Sequence, residues 1–264
     1  MSSIFVLHDT ALMNYFSQET KAVLLVGGLG TRLRSVLPST PKPLASISDR
    51  PFLELLVRQL HYQGICRLVL CTGYMAHEIE NALGDGRSLG VNIEYSKEPH
   101  PIGTAGAVKF AAPLLQDSTD FLVMNGDSFM EIDFRQLLQF HRKSGGIASM
   151  AVLRLKNEMR YGTVRVTAEG RVSSFAEKTD GDPTGFVNAG VYVFNRGIFD
   201  EIPEGPGSLE SDIFPKLLDH GVYASEQDGV FIDIGTPEDY ARAQELCERL
   251  YSAAYRKRPP DSSD

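Results

Sequence analysis

Two hydrophobic periods alternate along the first half of the chain. Ala22–Val26 is an unbroken apolar run, which predicts a strand covered on both faces. Pro51–Gln63 carries apolar residues at helical spacing and predicts a helix. The pattern continues with a strand over Arg67–Cys71, a helix over Met75–Leu83 and a strand over Asn92–Tyr95. A helix over Thr104–Leu115, a strand over Phe121–Met124 and a helix over Asp133–His141 follow. Strands separated by helices imply a mostly parallel sheet with right-handed crossovers. After Ile147 the texture changes. Ile147–Leu153, Thr163–Val166, Val172–Ala176 and Val187–Phe194 read as strands with little helix between them, so the sheet is expected to be mixed. Pro237–Tyr251 closes the pattern as one helix, with Thr236 as its N-cap.

The 264 residues suffice for one large α/β domain or two small ones. No internal repeat or long linker divides the chain, so residues 21–251 are expected to form a single domain. Residues 1–20 read as an N-terminal extension. They lack a basic start, and His8 and Asp9 interrupt their apolar part, which argues against a signal peptide. Residues 252–264, rich in Ser, Pro and charge, read as a flexible tail. A net charge of −8 argues against a nucleic-acid partner, whose footprint would be basic. No apolar run is long enough to span a bilayer, so no membrane partner is expected. Cys66, Cys71 and Cys247 form neither a C-x-x-C pair nor a metal-type spacing, and an odd number makes a poor disulfide framework. Reduced thiols and a cytoplasmic location are the expectation. Self-association is left open.

The candidate chemistry starts at Leu24–Leu44, "LLVGGLGTRLRSVLPSTPKPL". Glycines free the backbone directly after the first strand, and cations follow, an order suited to an anion such as a phosphate chain. Two familiar phosphate loops do not fit. The third glycine of a dinucleotide fingerprint would fall at Leu33, and the Gly-Lys-Ser/Thr of a Walker loop is replaced by Gly30-Thr31-Arg32. A nest of backbone N–H groups with a forked guanidinium beside it remains sound, and so does a plain Gly-rich turn. Lys42 is harder to explain as a solvated charge, because Pro41 and Pro43 fix the backbone on both sides of it. Asp127 follows an apolar strand, at the end where open α/β sheets place ligands, and Asp233 lies between a strand and the last helix. Each Asp taken alone reads equally as a turn or cap residue. Glu131, Asp133 and Asp239 are expected to be solvent or capping residues, and Arg34 a solvated charge.

"GGLGTRLRSVLPSTPKPL" resembles the signature of the sugar-1-phosphate nucleotidylyltransferases. The resemblance continues in order through "EPHPIGTAGAV" (Glu98–Val108), "NGDSF" (Asn125–Phe129), "RYGTV" (Arg160–Val164), "FAEK" (Phe175–Lys178), "NAGVYVF" (Asn188–Phe194) and "FIDIGTPEDY" (Phe231–Tyr240). It covers roughly residues 21 to 245. Within the family, "PFLE", "RYGTV" and "FIDIGTPEDY" are most similar to the D-glycero-D-manno-heptose 1-phosphate guanylyltransferases. The resemblance implies an α/β, Rossmann-like nucleotidyltransferase fold with a mixed, mostly parallel central sheet. It implies transfer of a guanylyl group from GTP to a heptose 1-phosphate, giving GDP-heptose and pyrophosphate for surface polysaccharide. Mannose 1-phosphate, or a uridylyl or thymidylyl donor, stays open as an alternative. So does a non-catalytic nucleotide-sugar binding subunit, and a dehydrogenase is disfavoured by Leu33.

Such a reaction brings two anions together, so positioning and electrostatics carry it. Magnesium is the natural counter-ion, and the resemblance assigns it to Asp127 and Asp233. It assigns the triphosphate grip to Arg32, the reacting phosphates to Lys42 and the sugar phosphate to Lys178, which with Asp127 form the catalytic set. Gly27, Gly28, Leu29, Gly30, Thr31, Arg32, Glu98, Gly103 and Thr104 are expected around the nucleotide. Gly162, Glu177, Lys178, Asn188 and Gly190 are expected around the sugar. Glu98 also has a physical reading as the base selector. A carboxylate only accepts hydrogen bonds, and guanine offers two adjacent donors where uracil offers one between two carbonyls.

Overall fold

The computed structural model of the chain describes residues 20–154, 163–176 and 185–256. The elements run in order as β1 (Lys21–Leu25), β2 (Ser46–Ile47), β3 (Arg50–Pro51), α1 (Phe52–Tyr62), β4 (Arg67–Thr72), α2 (Ala76–Leu83), β5 (Asn92–Lys97) and α3 (Gly103–Phe110). They continue as β6 (Asp120–Asn125), β7 (Ser128–Met130), α4 (Phe134–Ser144), β8 (Ala148–Leu153), β9 (Thr163–Val166), β10 (Val172–Ala176) and β11 (Phe186–Asn195). The last are α5 (Ile198–Glu201), α6 (Phe214–Leu217), β12 (Val222–Glu226), β13 (Phe231–Asp233), α7 (Pro237–Glu245) and α8 (Cys247–Ala254).

Nine strands form one sheet in the order β10-β9-β11-β6-β1-β4-β5, and β8 joins it beside β11 with β12 on its far side. The block β6-β1-β4-β5 is parallel, as the strand–helix alternation requires. β11 then enters antiparallel between β6 and β9. The expected mixed α/β architecture is therefore present. Strand alternation divides the core into two layers. Ala22 and Leu24 join the apolar cluster on one face of the sheet, and Val23 joins the cluster on the other. Helices on both faces explain why β1 reads as a continuous apolar run. α1 buries Phe52, Leu53, Leu55, Leu56, Val57 and Leu60, the helical stripe seen in the sequence.

Two expected helices are each broken. Thr104–Leu115 is an α-helix only over Gly103–Phe110, followed by a 3-10 turn over Ala112–Leu115. Pro113 lacks an N–H and disfavours helical backbone at the residue before it, so the α-helix stops ahead of it. Pro237–Tyr251 is two helices meeting at Leu246. No Gly or Pro marks that break. Tertiary contacts require it: Gln244 and Tyr240 hydrogen-bond the carbonyl of Ser46, while Leu250, Ala253 and Ala254 pack in the cluster that includes α1. Thr236 is the N-cap as expected, accepting from Asp239 N–H at 3.2 Å. Asp133 caps α4, accepting from Gln136 N–H at 3.0 Å. Among the described residues, no helix is long and apolar enough to cross a membrane.

Candidate active site

β1 lies between β4, which follows it in sequence, and β6, so the chain reverses its direction of growth at the C-terminal end of β1. Loops leaving β1 and β6 must diverge there and leave a crevice. Two adjoining cavities occupy it, of ≈ 190 Å³ and ≈ 260 Å³. Leu25, Gly28 and Asp127 line both.

The smaller cavity is polar. Gly28, Gly30, Thr31 and Arg32 supply one wall, Lys42 and Pro43 a second, and Gly126, Asp127 and Gly235 the third. Gly30 has φ +57°, and a Cβ there would stand 3.0 Å from the Lys42 Cβ. Only glycine both turns this loop and lets Lys42 approach it. The Lys42 side chain, 12% exposed, places Nζ 2.7 Å from Asp127 Oδ2 and 3.8 Å from Asp233 Oδ1. Backbone pairing brings the two carboxylates together. Asp233 sits opposite Ser128 in the β7–β13 ribbon, and Ile234 N–H donates to the Asp127 carbonyl at 2.9 Å. Burial is the main cause that raises the Asp233 carboxyl above the usual aspartate range, and Asp127 adds to it. Lys42 and a 2.6 Å hydrogen bond from Gly235 N–H pull it back.

The donor set suits a hard divalent cation. Two carboxylates approach one ammonium group beside the ≈ 190 Å³ cavity, and magnesium is held by one or two carboxylates with the remaining positions left to phosphate and water. Among the described residues no cluster of three or more His, Cys, Asp or Glu side chains competes for a metal.

The larger cavity is more apolar. Leu25, Gly27, Gly28, Leu29, Glu98, Pro101, Asn125 and Asp127 line it, together with Gly103, Thr104 and Ala107 of α3. Glu98 is half-buried and lines this cavity. Its Oε1 would lie 2.8 Å from a Cβ at Gly27, so that glycine is what admits the carboxylate. Burial raises the Glu98 carboxyl above the usual glutamate range, opposed by a hydrogen bond from the Ile102 backbone. Thr104 lines this cavity, but its hydroxyl proton goes to Glu210 Oε2 at 2.9 Å. Arg34 is exposed as expected, though its guanidinium lies over the Tyr74 ring, 4.8 Å from the centroid.

Asn188 and Gly190 lie on β11, beside β6 through the Val191–Met124 pair. Gly190 has φ +71°, and a Cβ there would stand 2.7 Å from Asn125 Nδ2, so the glycine leaves room for the Asn125 amide. Gly162, Glu177 and Lys178 lie outside the described residues. Residues that sequence reasoning did not single out include Asn125, Gly126 and Gly235 in the cavity walls and Tyr192 and Glu210 behind them. The first three sit beside Asp127 and Asp233 in quoted motifs, which was a usable signal. Glu210 carried none.

A cationic pocket with paired carboxylates opens into an apolar slot ending in an acceptor, which suits a metal-bound polyphosphate carrying a base. Comparisons with known proteins give the chain a family. A nucleotidyl transferase family model matches residues 21–249. The chain is 40% identical over 86% of its length to mannose-1-phosphate guanylyltransferase of Mycobacterium tuberculosis, but spans only 64% of that protein. It is 39% identical over 85% of its length to D-glycero-alpha-D-manno-heptose 1-phosphate guanylyltransferase of Aneurinibacillus thermoaerophilus, and spans 96% of that one. The crystal structure of HddC from Yersinia pseudotuberculosis complexed with GMP-PN superposes with a TM-score of 0.78 at 32% identity, covering 86% of this chain and 99% of HddC.

Proposed function

The chain belongs to the nucleotidyl transferase family, and from that premise we propose that it transfers a guanylyl group from GTP to a sugar 1-phosphate, releasing pyrophosphate. The observation that carries the reading is Lys42, held between Asp127 and Asp233 in the wall of the smaller cavity, with Asp127 lining both cavities. A phosphate oxygen of the sugar 1-phosphate attacks the α-phosphorus of GTP, a new P–O bond forms, and the bond to the β-phosphate breaks. No covalent enzyme intermediate is needed, so the chain's task is to hold and neutralise. Arg32 presents its forked guanidinium to the triphosphate and steadies the departing pyrophosphate. Lys42, a compact point charge on a proline-fixed backbone, stays at the reacting phosphates. Asp127 and Asp233 would hold Mg²⁺, which would supply neutralisation of charge on the phosphates. Glu98 accepts from guanine N1–H and the exocyclic amine, which offsets the cost of its burial. Lys178 receives the sugar phosphate, and Gly162, Glu177, Asn188 and Gly190 surround the ring.

For the sugar, we favour D-glycero-D-manno-heptose 1-phosphate, on the support of the relative whose length this chain nearly spans. Mannose 1-phosphate is the second reading, favoured by the 40% identical relative. A cytoplasmic location belongs to the proposal, because both substrates are anions that do not cross a bilayer unaided. The test is a matrix of GTP, ATP, CTP, UTP and dTTP against heptose, mannose and glucose 1-phosphates, read by pyrophosphate release. The highest specificity constant is expected for GTP with the heptose. A maximum at mannose selects the second reading, and no turnover with any pair overturns the catalytic one.

A further inference from the structure

Glu210 joins the two halves of the candidate site. It lies on a π-turn, Leu209–Ile213, capped by Ser208, whose hydroxyl accepts from the N–H groups of Glu210 and Ser211 at 3.2 Å each. One carboxylate oxygen of Glu210 accepts from Thr104 Oγ1 and Ser208 Oγ, both at 2.9 Å. The other accepts from Tyr192 Oη at 3.1 Å. Tyr192 is fully buried and its ring packs 5.0 Å from that of Phe214, so its hydroxyl has little freedom to leave. The same hydroxyl lies 2.8 Å from Asn188 Nδ2, and Asn188 Oδ1 accepts from Gly190 N–H at 2.9 Å.

The chemistry gives this chain of hydrogen bonds a direction. An ionised carboxylate only accepts, so the Tyr192 proton points at Glu210. The tyrosine oxygen is then an acceptor, and the Asn188 amide must turn its nitrogen toward it. Gly190 N–H independently demands the amide oxygen on the other side. The amide is therefore fixed in one of its two flip states, with one N–H and one lone pair left for a ligand. Thr104 is locked in the same way. It gives its proton to Glu210 and accepts from Leu209 N–H at 2.8 Å, in the first turn of α3 that lines the nucleoside cavity.

We infer that Glu210 is a positioning residue for the sugar 1-phosphate. Acting through Tyr192, and together with the Gly190 N–H, it holds the face of the Asn188 amide that meets the sugar, and through Thr104 it ties that orientation to the helix lining the larger cavity. The inference rests on the reading of Asn188 as a sugar contact. A glutamine at 210 has the same size but can donate to the tyrosine oxygen, which removes one of the two constraints on the amide and leaves only the Gly190 N–H to orient it. Phenylalanine at 192 removes the hydroxyl and keeps the buried ring.

The test is steady-state kinetics on the full chain with Glu210→Gln, Tyr192→Phe, the double variant and Asn188→Ala, with folding checked by thermal melting. Each single relay variant is expected to raise KM for the sugar 1-phosphate by on the order of tenfold, the size of one lost hydrogen bond. KM for GTP is expected to move much less. The double variant is expected to be no worse than the poorer single, because both act through one chain. Effects that multiply in the double variant, losses confined to GTP, or lower melting temperature with unchanged KM each overturn the relay. If Asn188→Ala raises the sugar KM and neither relay variant does, the relay alone falls. If Asn188→Ala leaves it unchanged, the sugar-contact reading falls and the relay with it. Should Glu210→Gln fail to fold, Tyr192→Phe against Asn188→Ala decides.

Discussion

Asp127 and Asp233 depend on the same ammonium group, at 2.7 Å and 3.8 Å from Lys42 Nζ. A neutral amide at either position keeps the shape but gives up the charge that we propose holds the metal. Asp127→Asn and Asp233→Asn are each expected to cut turnover by on the order of 10²–10³, the size seen when one preorganised electrostatic partner is removed. Circular dichroism should show the fold intact, and near-normal rates in both variants would remove the metal assignment. Glu98 makes a second residue-scale claim. Glu98→Gln should weaken GTP use by about 1.5–3 kcal/mol and narrow its lead over UTP and dTTP, because an amide both donates and accepts. Specificity constants for five nucleotides in both proteins check it, and an unchanged base ranking would mean that Glu98 does not select the base. Burial raises this carboxyl, so its ionised form is lost at higher pH than for an ordinary glutamate. GTP binding should therefore weaken on acidification above the usual glutamate range, being full above the raised pKa and falling as pH drops through it. The glutamine variant should lack that step.

At the scale of elements, the site is held by short pieces that add little core. The β7–β13 ribbon has three residue pairs, yet it sets Asp233 beside Asp127. α7 follows within four residues of Asp233, and its start fixes where the intervening turn runs. Thr236 closes that start on both sides, accepting from Asp239 N–H and donating to Asp239 Oδ2 at 2.9 Å. Thr236→Ala is expected to cost about 1 kcal/mol. For a domain of this size that is a drop of roughly 2–4 °C in Tm, measurable by calorimetry. An unchanged Tm would show that the cap is replaced by water at no cost.

For the whole molecule, the parallel block carries the two cavities, and β11, entering antiparallel beside β6, carries Asn188 and Gly190 to the same end of the sheet. The proposed function divides the substrates between these halves. Arg32→Ala should raise KM for GTP more than for the sugar 1-phosphate, and Lys178→Ala should do the reverse. Each should lose about 1.5–3 kcal/mol for one charge-assisted contact. Equal losses for both substrates in both variants would show that the two halves share their ligands.

The amino-acid sequence by itself determined the order and type of the main elements, because a buried parallel strand and an amphipathic helix each leave a periodicity that does not depend on neighbours. It determined the Gly-rich turn and the Thr236 cap, since these are local rules of backbone geometry, whereas the helical reading of Thr104–Leu115 ran past the break that Pro113 marks. It also singled out Gly27, Gly28, Leu29, Gly30, Thr31, Arg32, Lys42, Glu98, Gly103, Thr104 and Asp127, all of which line the two cavities, but it did not single out Asn125, Gly126 and Gly235 beside them. Only the tertiary structure decided the rest. The split at Leu246 answers contacts to Ser46 and α1 that are some two hundred residues away in sequence. The pairing of Asp127 with Asp233 comes from strand register, and register is invisible until both strands are placed. Glu210 is an ordinary glutamate in the sequence, and it becomes a junction only where the π-turn, α3 and β11 meet, because hydrogen bonds among Thr104, Tyr192 and Asn188 are set by distance in space and leave no period along the chain.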